Sequence, residues 1–132
     1  MLKNKAARER YEHLYVPFMD WLVHIRIDWT DPGHLRPEVR QTLLRMLLDS
    51  AEYMGSESSK LLMPFYEANS NLDSLDIDHN QHYLVSAPKE YRRLYFAMSS
   101  ALLKEGTILA NTLKLPDMPG TIAKQFGLDR QS

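Results

Sequence analysis

The densest run of chemically capable side chains is Asp73, Asp76, Asp78, His79, Asn80 and His82. Carboxylates and imidazoles are metal-ligand material, and a loop can fold Asp76, Asp78, His79 and His82 around one ion. Asp76-Ile77-Asp78-His79-Asn80 copies the opening of a calcium-binding helix-loop-helix loop. The copy then stops. Gln81 stands where the sharp turn needs glycine, and Ala87 where the bidentate glutamate belongs. A solvated polar loop is the expectation, with a metal site as its alternative.

Glu9, His13, Asp20 and His24 fall within about 60° of one another at helical spacing, near enough to converge. The apolar stripe of the same helix (Leu14, Phe18, Trp21, Leu22, Ile25) lies nearly opposite, so these four are expected to face water. A dinuclear carboxylate centre would also need Glu-x-x-His pairs on two helices, and the sequence has none. Glu105 is different. It falls in the apolar sector of the last long helix, beside Met98, Ala101 and Thr112, where a bare carboxylate is costly to bury. Arg40, on the apolar side of its own helix, is one partner the sequence offers. A structural ion pair is the expected reading and a functional acid the alternative.

Aromatic and basic residues interleave in Tyr91-Arg92-Arg93-Leu94-Tyr95-Phe96, a composition that can stack bases and hold phosphates. On a helix, however, Tyr91 and Tyr95 turn inward while Arg93 turns out. The basic run Lys3, Lys5, Arg8, Arg10 is offset by Glu9 and Glu12, with Arg8 and Glu12 at ion-pair spacing. Thr121 to Leu128 resembles the first helix and turn of a helix-turn-helix, with Ala123 and Gly127 at the usual spacing. Too little sequence follows it to build a recognition helix. A short helix stopped by Gly127 and docking Ile122 and Phe126 is expected instead. No phosphate-cradling glycine loop, Gly-x-Ser-x-Gly elbow or His-Glu-x-x-His motif occurs.

The whole-chain arithmetic narrows the class. Sixteen basic and 17 acidic residues leave a net charge of −1, which removes the bulk electrostatic drive toward nucleic acid or anionic membranes. With no cysteine, disulfides, thiolate metal sites and a cysteine nucleophile are excluded. No stretch approaches the ~20 apolar residues of a membrane span. The 132 residues, 44% apolar, suit one soluble domain covering 1–132, expected in the cytoplasm and without a cofactor.

The elements that must position these residues are helical, so the fold class is an all-α bundle of four to five helices. The spacing predicts helices over 5–27, kinked at Pro17, then 37–54, 58–68, 88–114 and 120–126. Pro37 suits a first helical position, and Gly55 reads as a left-handed stop. Over 69–86 no period holds, so a long irregular connection is expected there, with a short extended piece over 82–85. Apolar or small residues cover well over half the circumference of the last long helix, more than the ~100° stripe of a surface helix. That helix is therefore central, or its second face meets another subunit.

The surplus motivates the functional expectation: a small non-enzymatic protein that binds a protein partner or itself. Phe96, Leu103, Ala110, Trp21 and Trp29 are its candidate interface residues. The alternatives are a small metal-dependent or acid/base enzyme using the Asp76–His82 loop, and a nucleic-acid-binding regulator.

Overall fold

The chain is described by a computed structural model covering residues 2–25, 31–78 and 83–128, and every regular element in those residues is a helix. The all-α bundle is as the sequence reads. Its first rod joins α1 (Leu2–Arg10), a π turn (Tyr11–Tyr15) and α2 (Val16–Ile25). The wide turn answers Pro17, which has no N–H to offer the His13 carbonyl four residues back. Val16 N–H donates to the Tyr11 carbonyl, five residues back, and the Ser50 hydroxyl donates to the stranded His13 carbonyl at 3.4 Å. The expected irregularity thus lies one turn before the proline.

Asp31-Pro32-Gly33 makes the predicted turn, a short 3₁₀ piece over Pro32–His34. Asp31 Oδ1 accepts from the Gly33 N–H at 2.9 Å, and Arg92 grips both carboxylate oxygens at 2.8 and 2.7 Å. This ties the turn to the last long helix. Gly33 is buried against Pro88: a Cβ there would lie 2.8 Å from the Pro88 carbonyl oxygen.

The next helix, α3, runs over Pro37–Asp49 with proline in its first turn as expected, but it stops short of Met54. A 3₁₀ turn over Ala51–Tyr53 takes its place, and Gly55 is not left-handed.

Two helices depart from their expected bounds. Helix α4 spans Ser56–Asp78, 23 residues rather than the expected 58–68, and α5 spans Tyr83–Thr112, 30 residues, starting well before Pro88. Most of the predicted irregular stretch 69–86 is therefore helical, including Tyr83–Val85, which was expected to be extended; His82 lies outside the described residues. Asn, Asp and Ser are poor helix formers, which is why the period is lost there. Phe65, Ala68, Asn69 and Leu72 nevertheless form one buried stripe at helical spacing, so packing overrides propensity. Pro64 is tolerated because it is exposed and water can solvate the carbonyl it leaves free.

Helix α5 passes unbroken through Gly106. The glycine is explained by close approach: a Cβ would sit 3.0 Å from the Pro119 ring. The helix ends with Lys114 at φ 58 and Leu115 N–H donating to the Ala110 carbonyl at 2.9 Å, a glycine-type ending built on a lysine. Then α6 (Met118–Gln125) begins with Asp117 accepting from the Gly120 N–H and stops at Gly127, φ +68, as read. Ile122 and Leu128 are buried beneath it. Helix α5 is the axis of the bundle, with α4, α6, the Pro32–His34 turn and the π turn packed around it.

Candidate functional site

Buried Arg40 and half-buried Glu105 each brace one half of α4. At its start, Glu105 of α5 faces the first turn. Its Oε1 accepts from the Ser58 hydroxyl at 2.7 Å, the Tyr15 hydroxyl at 2.8 Å and the Gly55 N–H at 3.2 Å. Its Oε2 accepts from the Ser58 N–H at 3.0 Å. A side chain from another helix thus supplies the cap α4 needs, with negative charge at the positive end of the dipole. Gly55 is required here: a Cβ would lie 2.5 Å from the carboxylate carbon. Arg10 stands behind, donating to the Tyr15 oxygen at 3.4 Å and to the Tyr53 carbonyl at 3.0 Å. Burial first, and the bond to Glu105 second, push the Tyr15 phenol well above its usual range.

Against the second half of α4, Arg40 is 3% exposed. It does not meet Glu105, the partner the sequence offered. It donates instead to Asn69 Oδ1 at 2.9 Å, Asp73 Oδ1 at 3.0 Å and the Leu35 carbonyl at 3.3 Å. Its guanidinium carbon lies 5.9 Å from the centroid of Tyr91, within reach of the ring face. Asn69 and Asp73 are four residues apart, so one turn of α4 presents both to a single cation. That spacing was the available signal, and the low helix propensity around it hid it.

The predicted site residues are placed unevenly. Asp76 and Asp78 fall in the last turn of α4, so the opening of the supposed metal loop is helical; His79 and His82 lie outside the described residues. Among the described residues no group of three or more acidic or imidazole side chains converges as a metal site. Glu9, His13, Asp20 and His24 are all exposed, as expected. Of the candidate interface residues, Leu103 and Ala110 are buried within the chain, beside α6. Phe96 and Trp21 are half-buried, both against Tyr95, and Trp29 lies outside the described residues. Tyr91 and Tyr95 turn inward and Arg93 outward, pairing with Glu90.

Two concavities flank α6. One, of about 350 Å³, lies toward α2 and is lined by Tyr11, Val16, Met19, Asp20, Val23, Met118 and Ile122. The other, of about 280 Å³, lies toward α5 and is lined by Ser100, Leu103, Lys104, Thr107, Asp117, Gly120, Ala123 and Lys124.

No protein-family model, curated protein or solved structure matches this chain. The chemistry of the site must therefore be read from its geometry alone. Glu105 and Arg40 are both saturated by structural partners, and neither lines these concavities. Both act as struts. The groove beside α2 gathers three exposed apolar side chains around one concavity: Val16, Val23 and Met118 are 43%, 50% and 51% exposed, whereas the more exposed Met63 and Ile108 line neither concavity. Among the described residues no helix is long and apolar enough to cross a membrane.

Proposed function

We propose that this is a non-enzymatic binding protein that receives an amphipathic helix of a partner protein in the groove between α2 and α6. The observation that carries the reading is the cluster of half-exposed Val16, Val23 and Met118 around one concavity, because contiguous apolar surface of this kind marks interfaces. Two helices forming a groove suit a third, which anchors through residues one turn apart. Among the described residues Asp20 is the one charged side chain lining the groove, so a basic residue on the incoming helix completes it. A cysteine-free chain suits a reducing cytoplasm as the place of this encounter. Contact through Leu103 and Ala110 is replaced by contact through this groove.

The test uses two synthetic amphipathic helical peptides that share an apolar face, one with lysine and one with glutamate on the polar face. In NMR titrations the lysine peptide should shift the amides of Val16, Val23, Met118 and Ile122, and Val23→Glu should abolish the effect. Binding by neither peptide, or shifts located elsewhere, would defeat the reading. A dimer by light scattering that Val23→Glu dissolves would replace the partner with a second copy of the chain.

A further inference from the structure

The cleft between α5 and α6 differs in chemistry from the groove on the other side of α6. Ser100, Leu103, Lys104 and Thr107 recur at helical spacing along one face of α5, and Asp117, Gly120, Ala123 and Lys124 oppose them. The chain reverses between the two helices, so the cleft has unlike ends. Thr107 and Asp117 close one end, where Asp117 Oδ1 accepts from the Thr107 hydroxyl and the Gly120 N–H, both at 2.9 Å. Toward the other end stand Ser100, Lys104 and Lys124. Both lysines are exposed, and among the described residues neither is in an ion pair. Ser100 is only 4% exposed, and its hydroxyl has no hydrogen-bond partner among the described residues, a deficit that buried polar groups rarely carry. Between the ends the walls are apolar, made by Leu103, Ala123 and the α-carbon of Gly120.

We propose that this cleft binds a small aliphatic monocarboxylate, its head between Lys104 and Lys124 and its chain along Leu103 and Ala123. The two ammonium groups choose an anion. The apolar walls choose one with a hydrocarbon body over a bare inorganic ion, and Asp117 at the far end repels a second negative charge. A volume of about 280 Å³ limits the body to a short chain, since drug-sized ligands occupy pockets of roughly 300–1,000 Å³. Ser100 lies in the wall with its hydroxyl hidden from water. A carboxylate at the lysines supplies the acceptor it lacks, reached by a change of χ1 between staggered wells. The site is independent of the peptide groove, so either can fail alone.

Four six-carbon probes test the assignment by NMR titration of the full chain: hexanoate, 6-aminohexanoate, adipate and 1-hexanol. Hexanoate should shift the amides of Ser100, Lys104, Ala123 and Lys124 saturably. 6-Aminohexanoate, whose ammonium meets Asp117, should bind at least as tightly, and adipate about threefold or more weakly. Lys104→Met with Lys124→Met, which keeps the side-chain stems, should weaken hexanoate about tenfold without lowering the melting temperature. Ser100→Ala should raise the melting temperature, since it removes an unpaired buried hydroxyl, and still weaken hexanoate. The proposal fails if 1-hexanol binds as tightly as hexanoate, if adipate matches it, if Ser100→Ala leaves its affinity intact, or if its shifts are scattered over all surface lysines.

Discussion

The two ends of α4 solve the same problem in opposite ways. Each brings a charge from another helix into the bundle and sets a buried tyrosine beside it. At Glu105 the tyrosine works through its edge: the Tyr15 hydroxyl donates to the carboxylate, and backbone amides of α4 supply the rest of the cage. At Arg40 the tyrosine works through its face, while the Tyr91 hydroxyl, fully buried, has no partner among the described residues. An anion can use the free N–H groups at a helix start, which exist whatever the sequence there. A cation set against the second half of α4 meets carbonyls already engaged in the helix, so beyond one long bond to the Asn69 carbonyl at 3.4 Å α4 supplies side chains, Asn69 and Asp73. The first strut therefore constrains Gly55 and Ser58 for closeness, and the second constrains residue type a turn apart.

High pH should break both ends and give the largest effect. Burial, before any other cause, raises the phenols of Tyr15, Tyr91 and Tyr95 above their usual 10.0. A group whose folded pKa is raised holds its proton longer when folded, so its contribution is complete below pH 10 and is lost as pH climbs toward the folded value. Each tyrosine should subtract about 1.4 kcal/mol per pH unit in that window. Denaturant melts at pH 9 to 12, with phenolate absorbance followed in parallel, check this. Ionisation of Tyr15, Tyr91 or Tyr95 in the folded chain with no loss of stability would refute it.

Arg40→Ala comes next, at about 3 kcal/mol, because it strands the buried Asn69 amide and removes packing from Tyr91. Amide exchange should localise the loss to the second half of α4. Glu105→Ala should cost about 2 kcal/mol, leaving the Ser58 and Tyr15 donors unpaired, with faster exchange in the first turn of α4 instead. If both substitutions open the same amides, the division of α4 into two separately held ends is wrong.

The smallest pair is the sharpest. Tyr15→Phe should destabilise by about 1 kcal/mol, since it removes one donor from Glu105. Tyr91→Phe should be neutral or stabilising by up to about 1 kcal/mol, because the ring face stays under Arg40 and an unpaired hydroxyl leaves the core. Equal losses in thermal or urea melts would erase the contrast between edge and face.

Much of this was legible in the residues. The inward turn of Tyr91 and Tyr95, the exposure of Glu9, His13, Asp20 and His24, the start at Pro37 and the stop at Gly127 all follow from local spacing and backbone preference. Glu105 announced itself as a carboxylate on an apolar face. Its partner did not, because the cage is mostly backbone amide and hydroxyl, which carry no sequence signature. The groove was missed for a related reason. Val16 and Val23 stand two turns apart on α2, but Met118 comes from α6, and only the packing of the two helices brings it beside them.

The sequence by itself determined that the chain is helical and which side of most helices turns inward, because periodicity and capping are local and act through a few neighbouring residues. Tertiary structure decided the rest: that α4 continues through Asn69 to Asp78, that Arg40 takes Asn69 and Asp73 rather than Glu105, and that Leu103 and Ala110 are buried in the chain itself. Those outcomes depend on which distant group arrives to satisfy a charge or cover an apolar face. Helical spacing shows that such a need exists, whereas only packing shows what meets it.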